Sequence, residues 1–95
     1  MFRSIKIWST YGRTQMTYSL GLRIEKARDT KGYSQKFMAN QLEITPSAWS
    51  LYESDNREPT LSHFRKIVEL LDVSADWLLG LTDDELRHRE GSRYV

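Results

Sequence analysis

Between Ser34 and Pro59 the chain reads SQKFMANQLEITPSAWSLYESDNREP, and two short apolar patterns fall on either side of Glu43-Ile44-Thr45. Met38, Ala39 and Leu42 recur at i, i+1 and i+4, and Ala48, Trp49 and Tyr52 repeat that spacing. At 3.6 residues per turn each set forms one stripe on a helix, so the segment predicts two short helices with a tight corner between them. Neither stripe is buried unless both face a common core. The second helix has a marked start: Thr45 can cap it through its hydroxyl, and Pro46 then takes the first helical position, where no backbone N–H is needed.

The flanks predict further helices. Leu20, Ile24 and Ala27 share a face between Ser19 and Lys31, with Gly32 as a left-handed stop and Tyr33 as a plug at the corner. Ser34 is placed to cap the next helix, and Phe37, two residues beyond Gln35, is expected to pack onto the N-terminal arm, with an exposed contact as the alternative. After Pro59, Thr60 caps a helix with the stripe Leu61, Phe64, Ile67, Val68 and Leu71, closed by Asp72. Ser74 caps a last helix, expected from Ala75 to about Leu81. Trp77, Leu78, Leu79 and Leu81 lie on more than one side of it, more than so short a helix can bury alone, and are therefore expected at a subunit interface. The plainer alternative is that Trp77 closes the core. Thr82 and Glu85 have capping-box spacing, which allows a short frayed helix before a solvated tail, Arg87 to Val95. Residues 1–18 alternate in part through Ile5, Ile7 and Tyr11, the pattern of a short strand or an extended arm.

The central layout is a helix-turn-helix, and it resembles the Xre/lambda-repressor (Cro-like) family of transcriptional regulators. The likeness is carried by Arg28, Gly32 and Ser34-Gln35, by Ala39, Leu42 and Ile44 around the turn, by Ser47, Ser50 and Glu53 beyond it, and by Pro59. It continues through Leu61, Phe64, Ile67, Leu71, Val73, Ser74 and Leu78, so it covers about Leu20 to Leu81. The resemblance implies an all-α, five-helix lambda-repressor-like DNA-binding domain over residues 19–81, with an N-terminal extended arm or short strand at 1–18 and a tail at 82–95. It also implies that Arg28 pairs with Glu53 and that Gln35 points at the DNA backbone or an adjacent base. Met16 directly precedes the family-like region and would make a natural start. Two positions depart from the pattern. Glu43 stands where the family usually has glycine, which calls either for a left-handed backbone, at roughly 1 kcal/mol for a non-glycine residue, or for a slightly altered turn. Pro46, Ser47 and Leu51 occupy outward positions of the recognition helix that in relatives often carry Gln, Arg or Lys, and Ser54-Asp55-Asn56-Arg57 replaces the usual Asn-Gly-Lys-type loop.

Composition narrows the function. In 95 residues with 39% hydrophobic content there is material for one small core and no room for a second domain. The chain has no cysteine, no glycine-rich phosphate loop, and two histidines, His63 and His88, without metal-ligand spacing, so neither enzyme, metal nor cofactor is expected. His63 is expected on a helix surface. No apolar run approaches the roughly 18 residues that span a membrane, and Arg3, Lys6 and Arg13 precede no signal-like apolar core. A cytoplasmic protein is expected.

Net charge is +1, but residues 1–33 hold seven Lys or Arg against two acids, while the remainder is acidic. Long-range attraction to phosphates is therefore expected from the first helix and the segment before it. The candidate contacts to double-stranded DNA are Arg23, Ser34, Gln35, Lys36, Thr45, Pro46, Ser47, Ser50, Leu51, Asn56 and Arg57. Ser47 and Ser50 can bond phosphates or base edges and Leu51 can pack on a thymine methyl, but none makes the bidentate contacts of Arg or Gln. The expected function is a sequence-specific repressor of phage or mobile-element type that binds its operator as a homodimer. The alternative is a protein-interaction module on the same fold, such as an antitoxin subunit with a partner protein.

Overall fold

Five serine and threonine hydroxyls start the five helices. The computed structural model describes residues 18–87, and within them α1 (Leu20–Lys31), α2 (Gln35–Leu42), α3 (Pro46–Glu53), α4 (Leu61–Leu71) and α5 (Ala75–Leu78). Ser19, Ser34, Thr45, Thr60 and Ser74 each accept the backbone N–H three residues on, from Leu22, Phe37, Ala48, His63 and Trp77. A cap of this kind contributes about 1 kcal/mol.

The helix ends follow the same local logic. Gly32 at φ +78° closes α1: its N–H donates to the Asp29 carbonyl at 3.0 Å, and the Tyr33 N–H to that of Arg28 at 3.2 Å. Glu43 repeats this double closure after α2 at φ +60°, with its N–H on Asn40 at 3.1 Å and that of Ile44 on Ala39 at 2.9 Å. The turn thus keeps its geometry without glycine, because the two bonds satisfy carbonyls that the helix end leaves open.

The inward stripes of α2 and α3 meet as predicted. Met38, Ala39, Leu42, Trp49 and Tyr52 are buried together with Ile24 and Ala27 of α1 and Ile67, Val68 and Leu71 of α4. Each fully buried large side chain here contributes on the order of 2 kcal/mol. Helix α1 packs on α3, α4 and α5. Its approach to α3 needs Gly21, where a Cβ would stand 2.3 Å from the Glu53 carbonyl oxygen.

The C-terminal part differs from expectation. Helix α5 is a single turn ending at Leu78, because Gly80 turns the chain at φ +80°. Tyr18 packs so closely on Gly80 that a Cβ there would lie 2.7 Å from its ring. Residues 83–87 form no helix: the Ser74 N–H donates to the Glu85 carbonyl at 2.9 Å, and Val73 pairs with Leu86 in an antiparallel bridge. Trp77 and Leu78, expected at an interface, are 4% and 0% exposed and complete the monomer's own core. Leu79 and Leu81, at 46% and 72%, are exposed. Leu61, placed on the inner stripe of α4, also faces solvent. Among the described residues there is no strand beyond that bridge. The arm expected at the N-terminus lies outside the described residues except for Tyr18.

Candidate nucleic-acid interface

Helix α3 has a fixed back and an open front. Trp49 and Tyr52 hold the back in the core, while Pro46, Ser47, Ser50 and Leu51 are exposed. Ser47, Ser50 and Leu51 stand at i, i+3 and i+4 and so share one face. The Thr45 hydroxyl is engaged in the cap, accepting the Ala48 N–H at 3.0 Å.

What fixes α3 is a charge network centred on Glu53, buried at the helix end. Arg28 meets it edge to edge, Nε donating to Oε2 at 2.5 Å and Nη2 to Oε1 at 3.2 Å, and its Nη1 donates to the Tyr33 carbonyl at 2.9 Å. The Trp49 indole N–H donates to Oε2 at 2.7 Å, and the Gln35 amide to Oε1 at 2.8 Å. Hydrogen bonding to Glu53 raises the Arg28 pKa above its ordinary value despite desolvation, so the guanidinium stays a cation throughout the working pH range. A buried carboxylate needs such partners, since an unpaired one would cost several kcal/mol. The Trp49 contribution was not foreseen, although the i, i+4 spacing of Trp49 and Glu53 on one helix signals it.

Two expected DNA contacts have other partners. One N–H of Gln35 braces Glu53, leaving the amide a second N–H and its carbonyl oxygen for a ligand. Arg23 is turned away from the motif: its Nη1 donates to the carbonyls of Trp77 at 2.6 Å and Thr82 at 3.2 Å, its guanidinium lies 5.0 Å from the Trp77 ring centroid, and Asp83 stands 3.7 Å away. It fastens α1 to α5. Among the other candidates, Ser34 is engaged as the cap of α2, and Lys36, Asn56 and Arg57 are exposed. Asn56 donates its amide to the Ser54 hydroxyl at 2.8 Å, and the N–H groups of Asn56 and Arg57 both reach the Leu51 carbonyl, at 3.0 and 3.2 Å. The loop is thus folded back on the end of α3.

Asp55 was not singled out in the sequence. It adopts φ +64°, its Oδ1 accepts the Gly21 N–H at 2.8 Å, and its Oδ2 accepts the Ser19 hydroxyl. Phe37 packs against Tyr33, ring centroids 4.6 Å apart. His63, expected at the surface, is half-buried and shares a hydrogen bond with the Tyr52 hydroxyl at 2.8 Å. Among the described residues no cluster of His, Asp or Glu could hold a metal ion, and no helix is long and apolar enough to cross a membrane.

Five capped helices, with α2 and α3 joined by a left-handed turn and the front of α3 exposed, define a lambda-repressor-like helix-turn-helix domain. The chain belongs to the helix-turn-helix domain family, whose model matches residues 21–84. It is 44% identical over 62 residues to the HTH-type transcriptional regulator ImmR of Bacillus subtilis (strain 168), a match covering 65% of this chain and 49% of ImmR. It is also 44% identical over 59 residues to the SPbeta prophage-derived HTH-type transcriptional regulator YonR of the same organism, covering 62% of this chain and 55% of YonR. The chain thus spans about half the length of these curated relatives. The N-terminal DNA-binding domain of SinR from B. subtilis superposes with a TM-score of 0.57 at 33% identity, covering 63% of this chain and 88% of that one. SinR in complex with DNA gives 0.58 at 32% identity, covering 64% and 98%.

Proposed function

We propose that this protein binds double-stranded operator DNA with α2 and α3 and regulates transcription, as a repressor of phage or mobile-element type. The observation that supports this most directly is the solvent-facing set Ser47, Ser50 and Leu51 on a helix held from behind by the Glu53 network, in a fold that SinR presents to DNA. A helix placed in the major groove reads bases only as well as it is positioned, and this one is fixed at both ends. Lys36 and Arg57, with the Gln35 amide and Asn56, supply sequence-independent contacts to phosphates. Ser47, Ser50 and Leu51 supply preference, helped by DNA shape where their reach ends. Thr45, Pro46 and Ser34 shape the helix starts beside the DNA. Arg23 acts through the fold.

The DNA-binding unit in this reading extends to Leu86, because the bridge to Val73 returns the chain to the core. A homodimer forms through the exposed Leu79 and Leu81, giving the two-fold arrangement that pairs with a palindromic operator. The protein is cytoplasmic and acts without catalysis. A second reading, binding of a partner protein, is supported by the likeness to SinR in the SinR protein/SinI protein complex, at a TM-score of 0.58 and 32% identity.

Selection of bound sequences from random duplexes at stated salt tests the proposal, and a two-fold palindrome is the expected result. Salt titrations then separate the roles. Arg57→Ala or Lys36→Ala should lower the slope of log K against log salt by about one unit on every duplex, whereas Ser47→Ala or Leu51→Ala should flatten preference at one or two base pairs. No measurable binding to any duplex at low salt would leave the partner-protein reading.

A further inference from the structure

The loop after α3 carries Asn56 and Arg57; its own backbone folds back on the Leu51 carbonyl, and what joins it to α1 is the side chain of Asp55. The backbone there is left-handed at φ +64°, a conformation glycine adopts without strain and an aspartate adopts at some cost. The carboxylate offsets that cost by reaching across to the start of α1, where one oxygen accepts the Gly21 N–H at 2.8 Å and the other accepts the Ser19 hydroxyl. A carboxylate at a helix N-terminus also meets the positive end of the helix dipole. Gly21 itself lies against the last residues of α3, so the bond joins the loop to the point where α1 and α3 are closest.

We infer that Asp55 is a positioning residue for DNA binding: its bonds to Ser19 and Gly21 hold the Ser54–Arg57 loop in one conformation, so that Asn56 and Arg57 are presented to the phosphate backbone in a fixed place. The inference rests on the DNA-binding reading above. Its physical basis is the entropy of the loop. A flexible loop must be ordered on binding, and that ordering is subtracted from affinity, whereas a loop held in advance loses little. Asp55 also carries a negative charge toward a polyanion. Engagement with the N-terminus of α1 makes that tolerable, because the charge is partly neutralised where it sits.

The test uses the full chain and two substitutions with opposite chemistry. Asp55→Gly suits the backbone and removes the tie. Asp55→Asn keeps a left-handed preference, an oxygen for the Gly21 N–H and an amide that can donate to Ser19, but removes the charge. With the fold of each variant confirmed by its amide NMR spectrum, Asp55→Gly should lose hydrogen-exchange protection at Gly21, raise the backbone mobility of Asn56 and Arg57, and bind operator and scrambled duplexes about tenfold more weakly at fixed salt. Asp55→Asn should restore all three, binding as tightly as wild type or more so. Wild-type affinity and loop order in Asp55→Gly would overturn the inference, as would equal loss in both variants, which would show that charge and not the tie matters. If wild type binds no duplex at low salt, the DNA-binding reading falls and takes the positioning role with it. An operator that binds wild type and Asp55→Gly equally well removes the positioning role alone.

Discussion

Arg28 and Glu53, 25 residues apart, form a two-pronged ion pair that joins the last turn of α1 to the last turn of α3. Both side chains are withdrawn from water, so neither can lose its partner without leaving a charge poorly solvated. Arg28→Ala and Glu53→Ala should each destabilise the domain by about 2–4 kcal/mol, and the double change should cost less than their sum. Glu53→Ala should be the more damaging, since it also strips the Trp49 indole and the Gln35 amide of their acceptor. Urea unfolding of the four members of the cycle measures this, and strict additivity would contradict the pairing.

Gly21 is required by packing at a helical position where φ is ordinary. The missing Cβ would sit 2.3 Å from one backbone carbonyl oxygen and 2.7 Å from another, on Glu53 and Tyr52, and neither can turn aside as a side-chain end could. Gly21→Ala gains helix propensity of roughly 1 kcal/mol, yet should show a net loss of at least about 1–3 kcal/mol from overpacking. Thermal unfolding that shows Gly21→Ala more stable than wild type would contradict the close approach of α1 and α3.

The four apolar residues near α5 should divide into two classes. Trp77→Ala and Leu78→Ala open the core and should cost about 2–5 kcal/mol in the isolated protomer. Leu79→Glu and Leu81→Glu alter exposed positions and should leave the protomer folded, while turning a dimer into a monomer with weak operator affinity. Sedimentation with unfolding curves for each variant checks both halves. A wild-type monomer at high micromolar concentration would remove the dimer.

Tyr18 provides a pH-dependent contribution. Its hydroxyl donates to the Leu78 carbonyl, and burial, chiefly, raises its pKa above 10.0, with Arg23 acting in the opposite sense. A phenol whose folded pKa is raised stabilises the fold fully below its unfolded pKa, and the contribution is lost as pH climbs through the folded value. The stability difference between wild type and Tyr18→Phe should therefore be constant from neutral pH to about pH 9 and shrink above about pH 10. Paired denaturant titrations across that range test it, and a difference that grows with pH would contradict the assignment.

The sequence by itself determined the starts of all five described helices and the stops of α1 to α4, because those interactions close within about four residues. Ser19, Ser34, Thr45, Thr60 and Ser74 cap where their spacing places them, Glu43 turns left-handed where the apolar stripes demand a corner, and Ser47, Ser50 and Leu51 face outward because Trp49 and Tyr52 must face inward. The partnership of Arg28 with Glu53 was legible only through family resemblance. Tertiary structure alone decided the rest. Arg23 reaches a carbonyl 54 residues away and Tyr18 one 60 residues away, and these contacts, with the return of Leu86 to Val73, turn Trp77 and Leu78 into the core and leave Leu79 and Leu81 outside. Local periodicity cannot assign the faces of a one-turn helix, since with four residues every side is within reach of some neighbour and only the distant chain selects which is covered. The same holds for Gln35 and Asp55, polar side chains that nothing local commits to a partner until the fold brings a buried carboxylate to one and a helix N-terminus to the other.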